Sequence, residues 1–153
     1  QECPSCSLLR PWAIPWDTGL VQIARGSQPA QCWQVDYIWP LPFSDACRYA
    51  LTCVDTCTEL LQACTSKRPT QKATMRGLGH LCSVYGVPAD INSDPGTRFT
   101  GHQVQTWADQ MDIHWHFYLP YNPTATGLVE QINGLLKQQL RTEDRTLAPW
   151  QDA

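Results

Sequence analysis

Cys32-Trp33-Gln34-Val35-Asp36-Tyr37-Ile38-Trp39-Pro40 decides the fold. Trp33, Val35 and Tyr37 alternate with Gln34, Asp36 and Ile38 at period two, the repeat that sends successive side chains to opposite faces of a strand. The strand ends near Pro40, which has no N–H to donate to a ladder, and carries Asp36 at its middle. Working outward, Tyr49 to Val54 is an almost unbroken apolar run suited to a strand buried on both faces. Glu59 to Cys64 reads as a third strand paired to it, completing an antiparallel meander.

Helical periodicity follows. Thr70 is placed as an N-cap, Leu78, Leu81, Cys82 and Tyr85 recur at i, i+3, i+4 and i+7, and Gly86 ahead of Pro88 stops the helix. Gly77 and Gly79 weaken it. Ala89, Ile91 and Ser93 alternate along a fourth strand that delivers Asp94 at its end, and Pro95-Gly96 turns the chain. Thr100 is expected to cap a second helix with Val104, Trp107, Ala108 and Met111 on one face. Ile113, Trp115 and Phe117 alternate along a fifth strand. In the last helix Leu128, Ile132, Leu135, Leu136 and Leu140 form an apolar side, opposite a stripe of Glu130, Asn133, Gly134, Lys137 and Arg141. Mixed strands and helices give an α/β class.

The 153 residues, 42% of them hydrophobic, suffice for one core and leave no room for a second full domain. A net charge of −3 argues against strong nucleic-acid binding by this chain alone, because phosphate affinity comes chiefly from Lys and Arg. No run of eighteen apolar residues suggests a membrane span, and Gln1 to Arg10 lacks a signal-peptide core, so a nuclear or cytoplasmic setting is expected. Eight cysteines are about 5% of the chain, below the roughly 8–10% of disulfide scaffolds, which favours reduced thiols.

Three acids stand in distinctive surroundings: Asp36 above, Asp94 in Asn92-Ser93-Asp94-Pro95-Gly96-Thr97-Arg98-Phe99, and Glu130 in Thr126 to Lys137, with thirty-five residues between Asp94 and Glu130. Carboxylates drawn from a strand, a strand end and a helix can hold two divalent cations, the arrangement used for in-line phosphoryl transfer. Together with Tyr49 to Thr56 and Pro120 to Thr124, these strings resemble the catalytic core of retroviral integrases, of the endogenous-retrovirus style, from about Gln31 to Arg141.

That resemblance implies a ribonuclease-H-like polynucleotidyl-transferase fold, a five-stranded mixed sheet flanked by helices over 32–141. Residues 1–31 are then a linker and 142–153 a tail. It further implies DNA 3′-processing and strand transfer with Mg²⁺ or Mn²⁺ on Asp36, Asp94 and Glu130, and DNA contacts from Asn133, Lys137, Tyr121, Asn122 and Thr126. DNA and a second copy of the chain, as a homodimer, are the implied partners; a viral chain would be carried in the virion. Cys3 and Cys6 match half of the zinc site that precedes such cores, but the four histidines all lie within the core, so the pair reads as a remnant of an upstream zinc domain. Two positions depart from the family pattern: Pro95 stands where Asn or Gln is usual, and Gln131 where Arg is usual. With the acidic balance they lean toward an alternative, a domesticated integrase domain without integration activity that serves as a nucleic-acid or protein interaction module. The intact acids lean against it. Asp55 reads as structural, and Asp45, Asp90, Asp109 and Asp112 as turn or surface residues. His114 and His116 share a strand face but lack a third ligand, so hydrogen bonding is their expected role.

Overall fold

The computed structural model describes residues 25–39, 46–118 and 123–143, with side chains from 127 to 140 in the last stretch. Its strands are β1 Cys32–Ile38, β2 Tyr49–Asp55, β3 Leu61–Ser66, β4 Asp90–Ser93 and β5 His114–Phe117. The helices are α1 Gln71–Tyr85, α2 Thr97–Thr100, α3 His102–Gln110 and α4 Pro123–Glu143. The strands make one sheet in the order β3-β2-β1-β4-β5. β1, β2 and β3 pair antiparallel as the predicted meander, whereas β4 and β5 join β1 in parallel. A parallel neighbour needs a crossover, and α1 provides it between β3 and β4.

The pleat of β1 sorts its side chains. Trp33, Val35 and Tyr37 enter one apolar cluster with Leu78, Leu81 and Cys82 of α1, Phe99 of α2, Ala108 of α3, and Leu51, Cys53 and Ile91. Each fully buried Leu, Ile or Phe there contributes about 1.5–3 kcal/mol relative to an exposed one. Gln34, Asp36 and Ile38 take the opposite face. Alternation suggests a half-solvated strand, yet Gln34 and Ile38 are as buried as their neighbours, because β1 is central in the sheet and α4 packs against β1 and β2.

Local chemistry sets the boundaries. Thr70 Oγ1 accepts the Ala73 N–H at 3.2 Å, so α1 has the expected cap, and it stops at Gly86 (φ 94°). Gly77 lowers helix propensity but lets α1 press on the sheet, since a Cβ there would stand 2.9 Å from Leu51 Cδ2. Tyr85, expected on the apolar stripe, is exposed. β3 starts two residues later than Glu59 because Glu59 adopts φ 61° in a turn where the Asp55 N–H donates to Leu60 O at 3.0 Å. Thr100 does not cap α3. It ends the separate helix α2, and Gly101 holds the cap position without a side-chain bond.

The thiols of Cys53, Cys64 and Cys82 are unbridged, and burial raises the pKa of each, in keeping with small apolar fillers. Among the described residues no helix is long and apolar enough to cross a membrane. Cys3, Cys6, the 1–24 part of the linker and the 144–153 part of the tail lie outside the described residues.

Candidate active site

The parallel seam between β1 and β4 builds the site. Cys32 pairs with Asp90, Trp33 with Ile91 and Gln34 with Asn92, and extending that register by two residues brings Asp36 level with Asp94. Both acids therefore sit at the carboxyl end of parallel strands, where open α/β sheets bind ligands. Ser93 anchors this edge: its Oγ accepts Trp115 Nε1–H and its carbonyl the Tyr118 N–H, both at 2.9 Å.

Each carboxylate is held by one N–H and turned toward a shared cation. Asp94 Oδ1 accepts the Gly96 N–H at 2.8 Å, and Asp36 Oδ1 the Tyr37 N–H at 2.7 Å. Arg98 Nη2 donates to Asp94 Oδ2 at 2.6 Å and lies 3.9 Å from Asp36 Oδ1. Its guanidinium also rests 5.0 Å from the Phe99 ring centre and 5.6 Å from that of Tyr37. Gly96 permits this geometry, because a Cβ there would come within 2.8 Å of Asp94 Oδ1 and 3.1 Å of Arg98 Nη1.

α4 closes the site from the other face. Asn133 Nδ2 donates to Asp36 Oδ2 at 3.1 Å, and Asn133 is only 4% exposed. The helix face is thus rotated from the expected one: Val129 and Asn133 turn inward while Leu135 is 47% exposed. The reason is local, since this part of the sheet presents a charged carboxylate and an amide satisfies it where a leucine could not. Glu130 is exposed, three residues before Asn133, and Lys137 is exposed four residues after it. Tyr121 and Asn122 lie outside the described residues, and Thr126 falls in the first turn of α4 with its side chain outside them.

Electrostatics tie the acids together. Burial raises the pKa of Asp36 and the neighbouring Asp94 charge adds to it; the Tyr37 N–H, Arg98 and Asn133 pull the other way without cancelling the rise. Tyr118 is pushed far up, first by burial and then by the charges of Cys32, Asp36, Asp94 and Glu130. One phenol therefore senses all three acids. Its hydroxyl is buried with no partner among the described residues.

Among the described residues no three acidic, His or Cys side chains are grouped closely enough to hold one metal ion. The Asp36 and Asp94 pair still fits a hard divalent cation in kind, having oxygen donors and already facing a positive group. Of the other carboxylates, Asp109 and Asp112 are exposed as expected, Asp90 opens β4 half-buried, and Asp45 lies outside the described residues. Asp55 is saturated by Ala30, Cys57 and Thr58, and Asp90 pairs with His116 Nε2 at 2.9 Å. Periodicity alone missed Arg98 and Tyr118; the usable signal for Arg98 was its i,i+4 spacing from Asp94 across a Pro-Gly turn.

Comparison with known proteins gives the family of this fold. Residues 26–123 match the family model described as the integrase core domain. The Gag-Pol polyprotein of avian reticuloendotheliosis virus is 30% identical over 140 residues, 91% of this chain and 12% of the polyprotein. The Pro-Pol polyprotein of simian foamy virus type 3 is 35% identical over 140 residues, 92% of this chain and again 12% of the polyprotein, so the chain spans about an eighth of these relatives. Among solved structures, the simian T-cell lymphotropic virus intasome in complex with PP2A regulatory subunit B56 gamma matches with TM-score 0.75 and 29% identity, over 87% of this chain and 48% of that one. The HTLV-2 integrase catalytic core domain in complex with magnesium, in trimeric form, matches with TM-score 0.65 and 25% identity, over 82% of this chain and 80% of that one. The five-stranded mixed sheet is accordingly the ribonuclease-H-like fold of polynucleotidyl transferases, and the chain belongs to the integrase core domain family of retroviral type.

Proposed function

We propose that this chain is the catalytic core of an integrase that processes DNA 3′ ends and transfers the strands, with Asp36, Asp94 and Glu130 as its acids. The observation that carries the reading is the meeting of Asp36 and Asp94 at one cationic group, with the Glu130 helix fastened to Asp36 through Asn133. Mg²⁺ or Mn²⁺ held by these acids supplies activation of water or a DNA 3′-hydroxyl and neutralises charge on the leaving oxygen. The protein's own part is positioning. Asn133 fixes the Asp36 carboxylate through Oδ2, the Gly96 N–H fixes that of Asp94 through Oδ1, and the helical spacing sets Glu130 and Lys137 one turn either side of Asn133. Lys137, Tyr121, Asn122 and Thr126 are assigned to DNA contact, whereas Asn133, expected there, is buried against Asp36 and keeps only the positioning role. The net charge of −3 leaves much of the phosphate grip to partner copies, a homodimer first, or to neighbouring domains.

The test is disintegration of a branched DNA oligonucleotide with Mg²⁺ or Mn²⁺. Asp36→Asn, Asp94→Asn and Glu130→Gln are each expected to lower turnover by roughly three orders of magnitude or more with no loss of thermal midpoint. Unchanged turnover in any of them overturns the assignment. A second reading, a captured copy without integration activity, is favoured by one observation: a side chain of this protein already bonds the acids a metal needs. Wild-type chain that stays inert in disintegration, with flanking integrase domains restored, decides for it.

A further inference from the structure

We propose that Arg98 is a built-in competitor for the divalent cation: its guanidinium takes the position between Asp36 and Asp94, and metal binds only as it leaves. The inference rests on the reading of those two acids as the metal-facing pair. Three features fix the side chain there. Nη2 is 2.6 Å from Asp94 Oδ2 and 3.9 Å from Asp36 Oδ1, so one nitrogen faces both carboxylates. The guanidinium carbon is held by the Tyr37 and Phe99 rings at 5.6 and 5.0 Å. Gly96 leaves space that any Cβ would take from Asp94 and Arg98 together. Nε is buried with no partner among the described residues, so the side chain is seated by its carboxylate and ring contacts.

The two cations are alternatives for physical reasons. A divalent ion needs carboxylate oxygens at about 2.0–2.1 Å for Mg²⁺, and Asp94 Oδ2 already accepts a short charge-assisted bond from Arg98. A guanidinium is a permanent cation, so its charge is withdrawn from the carboxylates only when the side chain moves. Departure therefore requires rotation of the Arg98 side chain away from both rings.

Mn²⁺ binding to the whole chain, read from the free-ion electron paramagnetic resonance signal, tests the inference without any turnover. Arg98→Met keeps an apolar stem against Tyr37 and Phe99 and is expected to bind Mn²⁺ at least about tenfold more tightly than wild type. Arg98→Gln should show the same gain, which guards against a packing fault in one variant, and Arg98→Lys should stay within about threefold of wild type because it keeps the charge. Adding Asp94→Asn to Arg98→Met should erase the gain. Equal affinity in wild type, Arg98→Met and Arg98→Gln overturns the inference, as does a gain that survives Asp94→Asn. Its failure is distinguishable from that of the proposed function. Equal affinities with normal disintegration remove the competitor and leave the enzyme, whereas tighter Mn²⁺ binding without disintegration leaves the competitor and removes the enzyme.

Discussion

Asp36 and Asp55 are carboxylates on neighbouring strands, and they are finished in opposite ways. β1 and β2 run antiparallel, with Asp55 opposite Trp33 and Asp36 opposite Thr52, so the two acids lie toward opposite ends of the sheet. Asp55 Oδ2 accepts from the Ala30 N–H at 3.0 Å and Thr58 Oγ1 at 2.9 Å, and Oδ1 accepts from the Cys57 N–H at 3.1 Å. Burial alone would raise its pKa, but these donors outweigh it and hold the pKa below normal. Asp36 has fewer neutral donors, a second acid beside it and a raised pKa. A carboxylate saturated by N–H and O–H groups has its charged form favoured and ties a turn to a sheet; one buried beside another acid keeps a raised pKa even with a cation between them.

The widest separation between the two is expected in turnover. Asp36→Asn should abolish disintegration, roughly a thousandfold loss or more, while Asp55→Asn should leave it within about twofold in the same assay. Stability should reverse that order. Asp55→Ala strands the donors of Ala30, Cys57 and Thr58 and should cost about 2 kcal/mol in urea unfolding, with β3 and its turn losing amide protection first. Gly96→Ala sharpens the contrast at the site end: the added methyl displaces the Asp94 carboxylate, so turnover should fall about tenfold with little change in the urea midpoint.

The smallest effect is in pH. Without divalent cation, the lowered pKa of Asp55 contributes stability that is present above an aspartate's usual 3.8 and is lost as pH falls through the lower folded value. The raised pKa of Asp36 has the opposite sign, a deficit present at neutral pH that disappears as pH falls from the folded value toward 3.8. Urea midpoints from pH 7 to 3 should therefore place Asp36→Asn above wild type at pH 7 and Asp55→Asn below it, both differences closing in acid.

Long-period signals were legible in the sequence and short-range geometry was not. The alternation in β1, the Thr70 cap and the Ile91 to Ser93 strand leading to Asp94 all stand as read, because each rests on repeats or caps with strong physical preferences. The helix Thr97–Thr100 is too short to show a period, so Thr100 was assigned to the wrong helix. Glu59 moved the start of β3 by entering a left-handed conformation that its residue type does not announce. At the site, the meeting of Asp36 and Asp94 was legible from their surroundings. Asn133 was misread because a polar residue on an amphipathic helix belongs outside by pattern, and only the position of Asp36 turns it inward. Arg98 escaped because its role depends on how Pro95 and Gly96 fold the chain back on Asp94.

The seam between β1 and β4 has a consequence for biogenesis. The chain must emerge past Asp90 before the partner of Asp36 exists, and the intervening hairpin and crossover must close before the two meet. No local fragment made on the way, and no peptide released by a cut within that excursion, contains an assembled centre. The pairing of these two acids is thereby withheld from unfinished or clipped chains and arises with tertiary structure itself.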